Sequence, residues 1–141
     1  MVKRNVLFLC TRNSARSQMA EAFLRAYAGD KYEAHSAGLE AGGINPLTKK
    51  VMEEIGIDIS GQSSKDLKRY MEKVNFAYLI AVCNQAEEGC PRVFPGIGQR
   101  LCWDFEDPAG VTGPEEEKLN KFREVRDLIK RKVQDWVNSQ P

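Results

Sequence analysis

After Lys3-Arg4-Asn5 the chain runs apolar without a break from Val6 to Cys10. A short continuous run of this kind is what a strand covered on both faces looks like. After a polar stretch, Met19, Ala22, Phe23, Ala26 and Tyr27 recur at helical spacing up to Gly29, which predicts a helix with one apolar face. Tyr32 to Ser36 reads as a second strand closed by Ala37-Gly38. Asn45-Pro46 then opens a second helix, with Leu47, Val51, Met52 and Ile55 as its apolar face and Gly56 as its end. Ser64 is expected to cap a short helix through Tyr70, and Phe76 to Cys83 is a third buried strand. A Gly- and Pro-rich stretch leads to a weaker strand at Arg100 to Trp103 and a loop at Asp107-Pro108-Ala109-Gly110. The last helix is the clearest element: Phe122, Val125, Ile129, Val133 and Trp136 share one face, with Lys, Arg and Glu on the other. Strand and helix alternate throughout. The fold class expected is therefore α/β: one three-layer domain over residues 1–141, a parallel sheet flanked by helices.

Composition adds exclusions. A chain of 141 residues with 42% hydrophobic residues has enough material for one core without staples. With 21 Lys and Arg against 20 Asp and Glu, the net charge of +1 argues against a dedicated nucleic-acid binder. No apolar run approaches the roughly 20 residues that span a bilayer. The opening apolar stretch is too short for a signal peptide, and Arg12 and Arg16 follow it at once, so the chain reads as cytoplasmic. Its four cysteines are then expected to be thiols with chemistry rather than a disulfide frame.

Ligands of parallel sheets sit beyond the carboxyl ends of the strands, which directs attention to Cys10-Thr11-Arg12-Asn13-Ser14-Ala15-Arg16-Ser17. A short loop feeding a helix can turn successive N–H groups inward and make an anion nest at the positive end of the helix dipole. Arg16 can clamp a tetrahedral oxyanion with two parallel hydrogen bonds. Cys10 lies at the rim of this field, which favours thiolate over thiol and makes it a candidate nucleophile. Asn13 and Ser14 are suited to bracing the loop, and Arg12 either adds to the field or is solvated. Asp107, on a platform stiffened by Pro108, could protonate a leaving oxygen; an ordinary Asp-Pro turn is the other reading, and Asp104 and Glu106 compete for the role.

Cys83 lies just past the third strand, so a parallel sheet brings it out on the same edge as Cys10. Cys102, beside Trp103, is expected in the core. A zinc site from Cys83, Cys90, Cys102 and His35 fits no familiar ligand spacing, so no metal and no cofactor is expected. His35 is read as structural, and Glu115-Glu116-Glu117 as the acidic first turn of the last helix.

The segments from Cys10 to Glu21, Ser36-Ala37-Gly38, Asn45-Pro46, Ile57-Asp58-Ile59-Ser60, Cys83 through Cys90-Pro91 and Asp107-Pro108-Ala109-Gly110 run in order along nearly the whole chain. Together they resemble the low-molecular-weight tyrosine phosphatase superfamily, and within it the thioredoxin-coupled arsenate reductases. The resemblance implies a four-stranded parallel sheet, with Cys10 as nucleophile, Arg16 as oxyanion clamp and Asp107 as general acid. It also implies an electron relay: Cys83 attacks Cys10 after an arsenic adduct forms, Cys90 then attacks Cys83, and thioredoxin reduces the resulting disulfide. Seven helical residues span about 10.5 Å, whereas a disulfide needs Cα atoms within about 7 Å. If the segment from Cys83 to Cys90 is helical when reduced, it must therefore unwind. The implied partners are arsenate and thioredoxin, with glutaredoxin less favoured because the two outer cysteines are separated; neither nucleic acid nor membrane is expected, and the chain is expected to be a monomer. Where some relatives use an acidic residue to hold a monovalent cation near Asn13, Glu21 and Ser36, this chain has Lys65, so no cation requirement is expected. Ala109-Gly110 replaces the aromatic residues with which tyrosine phosphatases grip a substrate ring. The alternatives are a small tyrosine-type phosphatase whose other cysteines protect Cys10, and a non-enzymatic oxyanion sensor.

Overall fold

The computed structural model describes residues 3–70, 75–83 and 97–140. Four strands, β1 (Arg4–Cys10), β2 (Tyr32–Gly38), β3 (Phe76–Ala81) and β4 (Ile97–Cys102), form one sheet in the order β2-β1-β3-β4. All three pairings are parallel. Three described helices accompany them: α1 (Arg16–Ala28), α2 (Pro46–Glu53) and α3 (Glu115–Ser139). Val6, Leu7, Phe8 and Leu9 are all fully buried. Both faces of β1 are thus covered, which is why this strand shows no polar alternation in sequence.

The helices follow their local signals. The Asn45 side chain caps α2 by accepting from Leu47 N at 2.9 Å, with Pro46 in the first turn. Beyond its end, Gly56 takes φ +80°, a left-handed conformation that other residues adopt at a cost. Helix α3 starts on Glu115-Glu116-Glu117, where acidic groups meet the positive end of the dipole. It buries Phe122, Val125, Ile129, Val133 and Trp136, and also Arg126, which donates to Val51 O and Glu54 and so ties α3 to α2.

Four expectations need correction. The short element expected behind Ser64 is a single 3-10 turn, Leu67–Arg69, capped by Asp66 through Lys68 N at 2.8 Å. Ser64 instead accepts from Gly43 N and donates to Arg12 O. Strand β3 ends at Ala81 rather than Cys83, and β4 begins three residues earlier than the apolar pattern indicates. Backbone pairing with β3 extends an edge strand through residues such as Gly98 and Gln99 that carry no apolar signal. Cys102 is exposed rather than in the core, because alternation sends Leu101 and Trp103 to one side and Cys102 to the other.

His35, in β2, does have structural surroundings, with ring centroids 5.5 and 5.6 Å from Tyr70 and Phe76. Asn5 Nδ2 donates to Asn75 O, so Asn5 Oδ1 is an acceptor, and His35 Nε2 carries the proton it donates there. Burial holds the imidazole below its ordinary pKa of 6.5, against an opposing pull from Glu21 and Glu33. The unfolded chain therefore takes up a proton at a pH where the folded chain does not. The stability due to neutral His35 is fully present above about pH 6.5 and is lost as pH falls below it. Urea denaturation at pH 7.5 and 5.5 should show a larger loss of stability for wild type than for His35→Gln.

Candidate active site

Cys10 ends β1, and α1 begins at Arg16. The carbonyls of the connecting loop are drawn outward one after another. Cys10 O accepts from Leu39 N, Thr11 O from Glu40 N, Arg12 O from Gly42 N and Ser14 O from Asn45 N, at 2.9 to 3.2 Å. Asn13 O accepts from Gln18 Nε2 at 3.1 Å. With its acceptors tied to the segment after β2, the loop offers its N–H edge to the cleft, as an anion nest requires. The bend depends on Asn13, at φ +54°, where asparagine is among the better-tolerated residues. It depends equally on Gly38, since a Cβ there would lie 2.7 Å from Asn13 N and 2.5 Å from Glu40 O.

Cys10 is 2% exposed. Its Sγ accepts from Asn13 N at 3.1 Å and lies 2.8 Å from Ser17 Oγ. Ser17 Oγ already accepts from Asn13 Nδ2 at 2.7 Å, so its own proton is available to the sulfur. The sulfur thus faces one main-chain N–H and one hydroxyl. Arg16, 9% exposed, donates through Nη1 to Phe105 O at 3.0 Å, and its Nη2 lies 3.9 Å from Asp107 Oδ2. Asp107 also caps the short turn Pro108–Gly110 by accepting from Ala109 N at 3.0 Å. A cleft of about 490 Å³ is lined by Cys10, Thr11, Arg12, Ser14, Ala15 and Arg16 on one side and by Asp107 and Ala109 on another.

Of the three acidic candidates, only Asp107 lines this cleft; Glu106 pairs instead with Lys121 of α3. Arg12 is exposed and folds over Gly42, where a Cβ would come within 2.6 Å of its Nε. Cys83 is 4% exposed, and its Sγ lies 3.5 Å from Thr11 Oγ1. Since Val82 N donates to Leu9 O, Cys83 leaves the sheet directly beside the loop that follows Cys10. Cys90 lies outside the described residues. Among the described residues, no group of three or more His, Cys, Asp or Glu side chains could hold a metal ion.

Behind the loop lies a polar layer that gathers Asn13, Glu21, Ser36 and Lys65 and extends to Gln18, Arg25 and Gln62. Asn13 Oδ1 accepts from Lys65 N at 2.8 Å and from Gln18 Nε2 at 2.9 Å. Buried Glu21 takes a hydrogen bond from Ser36 Oγ at 2.5 Å and one from Arg25 at 2.6 Å. Lys65 Nζ lies 3.7 Å from the same carboxylate and donates to Ser63 O at 2.6 Å. Burial lowers the Lys65 pKa, while Glu21 pulls it back up.

The model of the family described as "Low molecular weight phosphotyrosine protein phosphatase" matches residues 5–140. The chain belongs to this family. Within it, the chain is 41% identical over 140 residues to the arsenate reductase of Halalkalibacterium halodurans, covering 99% of each. It is 40% identical over 139 residues to the arsenate reductase of Bacillus subtilis, again with 99% of each covered. Among solved structures, an arsenate reductase in the oxidized state superposes with a TM-score of 0.79 at 33% identity, covering 94% of this chain and 95% of that one. The low molecular weight protein tyrosine phosphatase from T. tengcongensis superposes equally well, at 0.78 over 98% of this chain and 100% of that one, but at 24% identity. Members of the family with different names therefore share one fold, and the α/β architecture with its four-stranded parallel sheet is common to them.

Proposed function

We propose that this chain is an arsenate reductase that draws its electrons from thioredoxin. One observation carries the reading: a second buried thiol, Cys83, stands against Thr11 at the same sheet edge as Cys10. Ester hydrolysis has no use for that thiol, whereas reduction requires it. The relatives named arsenate reductase, at 40% identity and above, support the same choice.

In this mechanism the nest and Arg16 hold arsenate as they would hold phosphate, and the Cys10 thiolate attacks arsenic. A sulfur–arsenic bond forms and one oxygen leaves as water, with Asp107 placed to supply a proton. The Cys83 thiolate then attacks Cys10 sulfur. The sulfur–sulfur bond forms as the sulfur–arsenic bond breaks, and its electron pair stays on arsenic, which departs as arsenite. Thr11, 3.5 Å from Cys83, orients that second nucleophile. Cys90 attacks Cys83 next, freeing Cys10 and leaving a Cys83–Cys90 disulfide for the dithiol of thioredoxin. The Lys65 ammonium beside Glu21 supports a site that works without a bound monovalent cation. Among the described residues no helix is long and apolar enough to cross a membrane.

The test is steady-state oxidation of NADPH in the presence of thioredoxin, thioredoxin reductase and arsenate, with arsenite counted as product. Arsenite should form in step with NADPH consumed. No arsenite formation, together with rapid aryl phosphate hydrolysis that survives Cys83→Ala combined with Cys90→Ala, would replace this reading with that of a phosphatase carrying protective cysteines.

A further inference from the structure

The polar residues behind the loop form a chain of hydrogen bonds whose direction is fixed as far as Ser17. The main-chain N–H of Lys65 donates to Asn13 Oδ1, so Asn13 must present its nitrogen to Ser17. One step outward, Gln18 Nε2 faces two main-chain carbonyls, Asn13 O at 3.1 Å and Ser63 O at 2.9 Å, and so must itself be the donor; its two protons are shared among these carbonyls and Asn13 Oδ1 at 2.9 Å, the link that continues the chain. That leaves Gln18 Oε1 to accept from Gln62 Nε2 at 2.7 Å, and this nitrogen is fixed in turn by Gln18 O at 3.1 Å. Gln62 Oε1 then accepts from Arg25 Nη1 at 2.9 Å. Main-chain carbonyls and N–H groups cannot exchange roles, so no amide in the chain is free to flip. Arg25, Gln62, Gln18 and Asn13 each donate to the next residue toward Cys10, and Ser17 Oγ lies 2.8 Å from its sulfur.

We infer that Gln62 and Gln18 are positioning residues for Cys10, carrying polarisation from the Arg25 guanidinium through Asn13 and Ser17 to the thiolate. The chain starts at a cation and ends at an anion, so both ends favour the same direction. Aligned hydrogen bonds strengthen one another, by about 10–30% per bond. Asn13, Ser17 and Gln18 are fully buried, which keeps water from competing along the inner links. The Arg25 side chain is 49% exposed, so solvent screens the outer end and Gln62 is the link to cut. The inference rests on Cys10 being the nucleophile. The charged groups around the sulfur are Arg12, Arg16 and Asp107 at the cleft and Glu21 and Lys65 behind the loop; a substitution at position 62 removes none of them.

Gln62→Met keeps the length of the side chain and deletes both its donor and its acceptor. The readout is the rate of iodoacetamide alkylation of Cys10 from pH 5 to 10, with the modified cysteine located by peptide mass mapping. Alkylation of Cys10 in the variant should be about threefold slower at low pH and equal to wild type at the alkaline limit, because a less polarised chain supports less thiolate. A loop that was merely loosened would change both limits alike. In a Ser17→Ala background, where the last link is gone, Gln62→Met should have no further effect. Gln62→Glu, which still accepts from Arg25 but cannot donate to Gln18 Oε1, should slow low-pH alkylation at least as much as Gln62→Met. Superimposable profiles for wild type and Gln62→Met, or an undiminished Gln62→Met effect without Ser17, would overturn the inference. If Cys10 of the wild type reacts at low pH no faster than exposed Cys102, the nucleophile reading fails instead.

Discussion

Replacing Cys83 with alanine should stop arsenate turnover while leaving Cys10 able to react. Without the second sulfur nothing can take the place of arsenic on Cys10, and the electron pair that makes arsenite is never delivered. Loss of a nucleophile in a covalent sequence costs on the order of 10³-fold or more in kcat. The assay is arsenite production over many cycles with thioredoxin, thioredoxin reductase and NADPH, alongside alkylation of Cys10. Cys83 is buried against Thr11, so removing its sulfur leaves a small void rather than a disordered loop. Cys102→Ser is the matched control, since that thiol is exposed at the end of the edge strand and its loss should leave turnover near wild type. Turnover by Cys83→Ala within tenfold of wild type would exclude the relay.

Arg16→Lys should be nearly as damaging, although it preserves charge. The Arg16 guanidinium does two jobs that an ammonium cannot share out. One nitrogen holds Phe105 O at 3.0 Å, and another lies 3.9 Å from Asp107, facing the cleft. Lysine is a point donor on a flexible stem, so it gives up either the fork to the oxyanion or the tether to the loop that bears the acid. The expected loss in kcat/KM for arsenate is on the order of 10²–10³-fold, comparable to deleting an oxyanion donor. Phosphate, which the nest should bind as a competitive inhibitor, should lose affinity in parallel when measured by calorimetry. An unchanged phosphate affinity would mean that Arg16 serves the loop alone.

Most of what positions these groups can be read from the chain, because it is local. A buried strand, a five-residue loop with four polar residues and a helix start place Cys10 and Arg16 together whatever the rest of the fold does. Parallel pairing then brings the end of β3 beside the end of β1, which is enough to bring Cys83 to the same edge. Two kinds of feature stayed hidden. Strand β4 gains its first residues from main-chain pairing with β3, which leaves no trace in hydrophobic pattern, and the exposure of Cys102 follows from which side of that edge Trp103 occupies. The glutamines of the polar layer behind the loop were hidden for a different reason. Gln18 and Gln62 meet across 44 positions of sequence, and neither carries a motif. The one hint was a glutamine directly after Ser17, in the first turn of a helix whose start is buried. Cys90 falls outside the described residues, so its part in the relay rests on the resemblance.

The order β2-β1-β3-β4 makes β1 and β3 immediate neighbours. Under the proposed mechanism, the step from a hydrolase to an electron-transfer enzyme then requires no rebuilt scaffold and no bound redox group. It requires one sulfur at the tip of the adjoining strand and a way to discharge it. A lineage holding the phosphate-binding loop would already stand two thiols away from a different reaction class, with its architecture intact.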